Sequence, residues 1–211
     1  MAYSAIVKPQ DYFNTKLYTG TGSNQSLTGV GFQPDLIWWK CRNSAKNHGL
    51  TDAVRGNTKI IRSNEASAES TDTTYIQSFD SDGTTIGSNG NINSNGDTFC
   101  LWNWKANGAG SANTDGDVTS TVSVNTTPGF SIVKWDSTGT AGINIGHGLG
   151  QKPAMIIAKC LNQSSTSWPV YHQSLGATKY VSLQATTAEA TSATRWNNSE
   201  PTTTTFQTGS S

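Results

Sequence analysis

Charged residues are scarce in this sequence, and neither sign of charge prevails. Only 13% of the 211 residues are charged, and 14 Lys and Arg residues balance 14 Asp and Glu residues. A protein that binds nucleic acid through phosphate contacts, or a membrane through a polybasic segment, needs an excess of positive charge. The composition therefore argues against nucleic-acid binding and against an electrostatic membrane anchor.

The sequence also lacks long apolar runs. No run approaches the roughly 20 apolar residues that a membrane-spanning helix needs. Residues 1–8 contain no basic segment followed by an apolar stretch, which a secretory signal would require. The sequence thus predicts neither membrane insertion nor a signal peptide.

The cysteines lack the pairing of a disulfide framework or a zinc site. There are three of them, Cys41, Cys100 and Cys160, and none belongs to a Cys-x-x-Cys motif. We expect them to be reduced, small, buried apolar residues of a protein made in a reducing compartment.

Small polar residues dominate what is present. Ser, Thr, Asn and Gly make up nearly half of the chain, yet 7 Trp, 6 Tyr and 6 Phe remain to build a core. Short apolar or alternating runs, such as residues 36–41 and 98–105, are separated by turn signals such as Ser81-Asp82-Gly83. In the second run, alternation places Cys100, Trp102 and Trp104 on one face. The pattern predicts an all-β fold built from β-sandwich units of the jelly-roll or lectin-like type.

An internal repeat is the strongest signal in the sequence. Residues 34–41 align with residues 153–160 at an offset of 119, and residues 58–61 align with residues 178–181 at an offset of 120. Several features in one order at a nearly constant offset indicate two related units. We predict a first sandwich over residues 1–105, a polar linker or strand over 106–128, and a second sandwich over 129–211.

The second unit is predicted to lack its last strand. The alignment matches Phe206 with Ile86, so the Trp-rich strand at residues 98–105 has no counterpart before Ser211. An open sandwich would expose a strand edge and part of its core. We therefore expect the strand to come from sequence beyond Ser211 or from an adjacent subunit.

Five motifs together resemble an uncharacterised two-repeat, β-rich domain family of tailed phages. They are Asp11-Tyr12-Phe13-Asn14-Thr15-Lys16-Leu17-Tyr18-Thr19-Gly20, Gly31-Phe32-Gln33-Pro34-Asp35-Leu36-Ile37-Trp38, Asp52-Ala53-Val54-Arg55-Gly56, Ser78-Phe79-Asp80-Ser81-Asp82-Gly83 and Gly146-His147-Gly148-Leu149-Gly150. The family occurs chiefly in tail-fibre and other virion proteins of marine and cyanobacterial phages, and the resemblance covers essentially the whole chain. It implies a virion protein made in the host cytoplasm, and it supplies no catalytic residues.

Asp52 and Arg55 are the most conspicuous charged residues close together in sequence. A catalytic role is disfavoured because the repeat aligns Asp52 with His172 and Arg55 with Leu175, so the polar set is not kept. We predict a structural pair that braces a loop, with Gly56 supplying the backbone conformation.

No cofactor, metal or catalytic site is predicted elsewhere. The acidic stretches at residues 80–83 and 115–117 lack the ligand number and the late Glu of a calcium loop, and they indicate turns. His147, which lies between two glycines, is expected to line a tight turn.

The tryptophans allow two interpretations. Trp168, Tyr171 and Trp196 lie among Ser, Thr and Asn residues, and we predict them as candidates for a platform on which sugar rings stack. Trp102 and Trp104 are interpreted as core or interface residues.

The sequence therefore favours a non-enzymatic phage virion surface protein, a tail-fibre or host-attachment component. Its expected partners are other virion proteins, further copies of itself in a homo-oligomer, with a trimer favoured, and a host surface polysaccharide. A capsid decoration or connector protein is the alternative. A glycan-degrading tail spike is disfavoured because Asp136, Glu189 and Glu200 are the only acidic residues after Phe130.

Overall fold

Antiparallel strands make up nearly all of the regular secondary structure among the described residues. The structure is a computed structural model that describes Ile6 and residues 8–209. The predicted absence of a signal peptide concerns residues 1–8, and residues 1–5 and 7 lie outside the described residues. No helix within the described ranges is long and apolar enough to span a membrane. The all-β sandwich class predicted from the alternating pattern is confirmed.

The chain divides into two compact units, with a boundary that differs from the predicted one. The first unit comprises Met1–Ser63 and Glu69–Ala109, and the second comprises Asn64–Ala68 and Gly110–Ser211. Most of the predicted linker at 106–128 therefore belongs to the second unit and contributes strands to it. The short segment 64–68 is irregular and belongs to the second unit.

The first unit is built from a long sheet and a short one. Its elements are a 3-10 helix (Pro9–Asp11), β1 (Phe13–Thr19), β2 (Gln25–Thr28), β3 (Leu36–Cys41), β4 (Gly49–Asp52), β5 (Lys59–Arg62), β6 (Ser70–Thr71), β7 (Ile76–Asp80), β8 (Gly83–Ile86), α1 (Gly90–Asn93) and β9 (Thr98–Trp104). The strand order is β1-β9-β3-β4-β5-β6 in the first sheet and β2-β8-β7 in the second.

The core of the first unit follows from the alternation along its strands. On β3, Ile37, Trp39 and Cys41 are buried, whereas the alternate residues are half-buried. Trp39 packs against Tyr75 with ring centroids 5.5 Å apart. A Cβ atom at Gly49, opposite Trp39 on β4, would lie 1.9 Å from the indole, so glycine is the residue that fits there. Each large side chain that is fully buried in this way contributes about 1.5–3 kcal/mol.

The second unit contains three smaller sheets. Its strands are β10 (Ser111–Asn113), β11 (Ser120–Asn125), β12 (Phe130–Lys134), β13 (Asn144–Gly146), β14 (Met155–Ile157), β15 (Pro169–His172), β16 (Lys179–Ser182), β17 (Ala190–Thr191) and β18 (Thr205–Gln207). The sheets have the orders β10-β11-β12, β13-β18 and β14-β15-β16-β17.

The two units repeat the same backbone hydrogen bonds. Ala53 N donates to Asp35 O at 2.8 Å, and Gln173 N donates to Ala154 O at the same distance. The order β14-β15-β16-β17 matches β3-β4-β5-β6, and the pairing of β13 with β18 matches that of β2 with β8. Strand order and hydrogen bonding thus agree with the offset of the sequence repeat.

The alignment of the last strand is wrong by two residues. Gly87 N donates to Tyr75 O at 2.6 Å, and Gly209 N donates to Arg195 O at 3.1 Å, so these glycines are equivalent. The chain from Arg195 to Gly209 is two residues longer than the chain from Tyr75 to Gly87, and Phe206 therefore takes the place of Thr84 rather than that of Ile86.

Candidate functional site

The predicted glycan platform is wrong, because its three aromatic residues are buried. Trp168, Tyr171 and Trp196 expose at most 2% of their surface. Tyr171 and Trp196 pack edge to face with centroids 5.9 Å apart, and the Trp168 indole N–H donates to Glu65 O at 2.9 Å. Their polar neighbours in sequence do not place them at the surface, since Tyr171 lies on β15, between β14 and β16.

A different set of rings forms an exposed aromatic surface on the first unit. Trp38 on β3 and Trp102 and Trp104 on β9 are half-buried, and Phe13 on β1 is 38% exposed. Register brings them together, because Trp38 lies opposite Trp102 and Phe13 lies opposite Trp104. We call these four residues the aromatic face.

The rings of the aromatic face contact one another at varied angles. Phe13 and Trp104 have centroids 4.8 Å apart, and the Trp38 ring lies 6.0 Å from Trp102 and 6.5 Å from Trp104. Trp38 meets Trp102 edge-on at 68° and is nearly parallel to Trp104 at 29°. The three indoles line a shallow apolar hollow.

Such a surface can bind an apolar side chain of another protein or the C–H face of a sugar ring. Sequence alternation placed Trp102 and Trp104 on one face but did not reveal Trp38 or Phe13 as their neighbours. A detectable signal was the outward position of Trp38 on β3, next to the inward Ile37 and Trp39. The position of β9 between β1 and β3 could not be predicted from the sequence.

Asp52 and Arg55 form the structural pair that was predicted. Arg55 Nε donates to Asp52 Oδ2 at 2.6 Å, and its Nη1 donates to Glu69 Oε2 at 2.9 Å. Both side chains of the pair are about 95% buried, and Arg55 Nη2 also reaches Leu50 O at 3.4 Å. Gly56 follows with φ of +101°, a conformation that favours glycine. The pair braces the turn after β4.

His147 lies buried in the turn where the Gly-His-Gly motif predicted it. Its Nδ1 accepts a hydrogen bond from Leu149 N at 3.2 Å, and its Nε2 lies 3.4 Å from Thr202 O. These contacts fit a neutral ring that is protonated on Nε2. Burial lowers the pKa of His147, with smaller opposing effects from the Thr202 carbonyl and Asp115.

The acidic turns use their carboxylates to hold the backbone. Asp82 accepts hydrogen bonds from Gly31 N and Gly29 N, which lower its pKa. Asp117 accepts from Asn144 N at 2.7 Å. Within the part of the chain that the structure describes, no group of three or more His, Cys, Asp or Glu side chains could hold a metal ion.

The three cysteines are free thiols, but they differ in exposure. Cys41 and Cys100 are buried as predicted, whereas Cys160 is exposed, which corrects the prediction for that residue. Cys41 is covered because it lies opposite Phe99 on β9. The described residues of the second unit supply no strand in the place of β9, so Cys160 is left uncovered.

The family model of a domain of unknown function, DUF7483, matches residues 8–211. No curated protein and no solved structure matches the chain.

Proposed function

The chain belongs to DUF7483, a family of domains of unknown function, and we propose that it is a non-enzymatic structural protein of a phage virion. We place it in the tail fibre or host-attachment apparatus, following the resemblance of its motifs to tailed-phage virion proteins. The observation that carries a binding role is the aromatic face, which we propose as the surface through which the protein associates with neighbouring virion subunits.

The composition of the aromatic face supports association with protein. Tryptophan is enriched at the energetic centres of interfaces, where its ring buries a large apolar area. Trp38, Trp102 and Trp104 lie side by side across β3 and β9, so a partner would desolvate them together. Leu17, 55% exposed on the same side of β1, is not part of the aromatic face.

The chemistry of the charged residues supports a structural role. Asp52 and Arg55 are occupied with each other and with Glu69, and Glu200 accepts hydrogen bonds from Tyr171, Lys152 and Ala177 N. These carboxylates stabilise turns and strands of their own units. A surface rich in Ser, Thr and Asn with zero net charge suits a particle component that must avoid nonspecific adhesion.

We expect the protein to form a homo-oligomer, with a trimer as the favoured state. Its association should depend on the aromatic face. Trp102→Thr keeps a residue that favours strands but removes the ring, and it should weaken self-association at least about tenfold. Leu17→Thr is the matched control on the same side of the sheet and should change association less than about twofold. Sedimentation equilibrium measures both.

Two further measurements separate the alternatives. Imaging of particles with a label on this chain should place it at the tail or attachment apparatus, and density on the capsid shell would favour a decoration protein instead. The aromatic face would instead be assigned to a glycan by two results together. The wild-type protein would stay monomeric, and it would bind host surface polysaccharide in a way that Trp102→Thr abolishes. Degradation of that polysaccharide would contradict the non-enzymatic role.

A further inference from the structure

Among the residues that the structure describes, the second unit has no strand at the place that β9 fills in the first unit. In the first unit β9 lies between β1 and β3 and pairs with both along their whole lengths. In the second unit, β12 corresponds to β1 and β14 corresponds to β3. Among the strands that the structure describes, β12 and β14 each end their sheet, with a neighbour on one side only. We call the space beside these two edges the strand slot.

Backbone groups of β14 point into the strand slot. Ala158 N donates to Pro169 O at 3.0 Å, so the N–H and C=O groups of Ala158, Ile156 and Ala154 face β15. Because hydrogen-bonded and non-hydrogen-bonded positions alternate in antiparallel pairs, those of Met155 and Ile157 face the opposite way. The equivalent groups of Leu36 and Trp38 face β9 in the first unit.

The side chains beside the slot are apolar and exposed. Met155 is 51% exposed and Ile157 is 41% exposed. Ile157 corresponds to Trp38, whose ring packs against Trp102 and Trp104. An edge with unpaired backbone groups and apolar side chains is one that proteins normally cover.

The other border of the slot repeats β1 in its inward contacts. Trp135, just after β12, corresponds to Tyr18 at the end of β1. Tyr18 packs against the core of the first unit, and the Trp135 ring packs edge-on against Phe206 at 5.5 Å. Trp135 therefore points inward from the end of β12 as Tyr18 does from β1 in the first unit.

We propose that the strand slot binds an extended polypeptide segment that resembles β9. The bound segment runs antiparallel to β14, pairs with the backbone of Met155 and Ile157, and places aromatic side chains at alternate positions over them. The alternation of β9, Phe-Cys-Leu-Trp-Asn-Trp, is the template for its chemistry. This inference concerns the second unit and does not depend on the aromatic face.

A β9-like strand fits the slot better than a second copy of β14 does. Two β14 edges could pair with each other, but β14 is only three residues long and such a pair would leave β12 uncovered. In the first unit β9 pairs with seven residues of β1 and six residues of β3 at once. Only a strand that lies between β12 and β14 can pair with the backbone of both.

The test uses a labelled peptide of residues 98–105 with Ser in place of Cys100, added to the full chain. Fluorescence anisotropy should show saturable binding, and a scrambled peptide should not bind. Ile157→Pro removes an N–H that points into the slot and should weaken binding at least about tenfold. Leu17→Pro is the matched control, because Leu17 is exposed on the edge strand β1 and its N–H also points away from its neighbour β9.

Position in the slot is tested through Cys160. Cys41 lies opposite Phe99 in the first unit, so a peptide with Phe99→Cys should form a disulfide with Cys160 in a buffer of reduced and oxidised glutathione, in which oxidised glutathione is the oxidant. A peptide with Trp104→Cys should not. No saturable binding to the wild-type chain, or equal binding by Ile157→Pro, would overturn the proposal. The proposal would also be overturned if the chain forms a dimer that Ile157→Pro disrupts but the peptide does not. That result would show that a second copy of the chain pairs with β14.

Discussion

The buried guanidinium of Arg55 binds two carboxylates, so its removal should lower the free energy of unfolding. Arg55→Met would leave Asp52, whose side chain is only 6% exposed, without its charge partner. Breaking a buried pair in this way costs about 3–5 kcal/mol, so we expect a loss of that size in the free energy of unfolding measured by urea denaturation.

Lys179→Met is the control for the Arg55 experiment. Lys179 pairs with Glu189 at the place that Lys59 and Glu69 occupy in the first unit, but both partners are about 40% exposed. Exposed pairs contribute about 0–1 kcal/mol. Equal losses in the two variants would show that burial does not set the strength of the Arg55 network.

His147 should make the stability of the protein depend on pH. Its pKa is lowered in the folded state by burial, so below about pH 6.5 the unfolded chain binds a proton that the folded chain resists. The free energy of unfolding should fall as the pH drops, by at most about 1.4 kcal/mol per pH unit for this one group. Urea denaturation between about pH 7.5 and pH 5 measures the slope.

His147→Gln should reduce that slope, and His172→Gln at an exposed position is the control substitution. An unchanged slope in His147→Gln would assign the pH dependence to other groups.

Single residues also show where sequence reasoning holds and where it fails. Asp52 and Arg55 were predictable, because both ends of their contact lie within one turn. Trp168 was not, because its hydrogen-bond partner Glu65 lies 103 residues earlier. Local polarity around Trp168 and Trp196 therefore said nothing about their burial.

At the scale of strands, Asp35 fixes the chain that leaves β9. Its buried carboxylate accepts Ala106 N at 2.6 Å and Gly108 N at 3.1 Å. Asp35→Asn would turn a donor toward one of these N–H groups, and we expect a loss of about 1–3 kcal/mol together with faster exchange of the Ala106 and Gly108 amide hydrogens. Hydrogen exchange followed by NMR measures both amides.

Asp82→Asn is the control for Asp35. It changes a carboxylate that also accepts two backbone N–H groups, those of Gly29 and Gly31, at an exposed site where water can replace it. If Asp82→Asn costs as much as Asp35→Asn, the burial of Asp35 is not the reason for its effect.

Strands were predictable where apolar residues alternate and were missed where small polar residues prevail. β3 and β9 follow from their alternation, with bounds close to the predicted ones. β11 falls within the segment predicted as a polar linker or strand, and the choice stayed open because Ser, Thr and Asn surround Val122 and Val124. The pairing of β11 with β12 stabilises a segment whose composition alone is typical of a loop.

At the scale of the whole molecule, the two units should differ in how well equivalent strands are protected. β3 lies inside its sheet and β14 lies at an edge. We expect the amide hydrogens of Ile156 and Ala158 to exchange more than about tenfold faster than those of Ile37 and Trp39, because opening an edge strand breaks pairing on one side only.

The interior strands of both units provide the reference. Ile61 pairs with Leu50, and Val181 pairs with Val170, at equivalent positions. These two amides should exchange at similar rates. If Val181 also exchanges tenfold faster than Ile61, the whole second unit is less stable and the edge of β14 is not the cause.

The repeat made the duplication and the open edge of β14 among the described strands predictable, since both follow from comparing the chain with itself. The division after Ala109 did not follow from that comparison, because β10 and β11 have no counterpart in the described part of the first unit.

The turn after β4 and its counterpart after β15 are natural places for grafting new loops. Gly56 N donates to Asp52 O and Gly176 N donates to His172 O, so the two turns keep one backbone path. They share no polar side chain, since Leu175 stands where Arg55 does. Two unrelated sets of side chains support the same backbone conformation. The turn should therefore accept other side chains, provided that the glycine with positive φ is kept. Loop libraries built on the second turn would therefore vary the surface of the protein while leaving the buried ion pair of the first untouched.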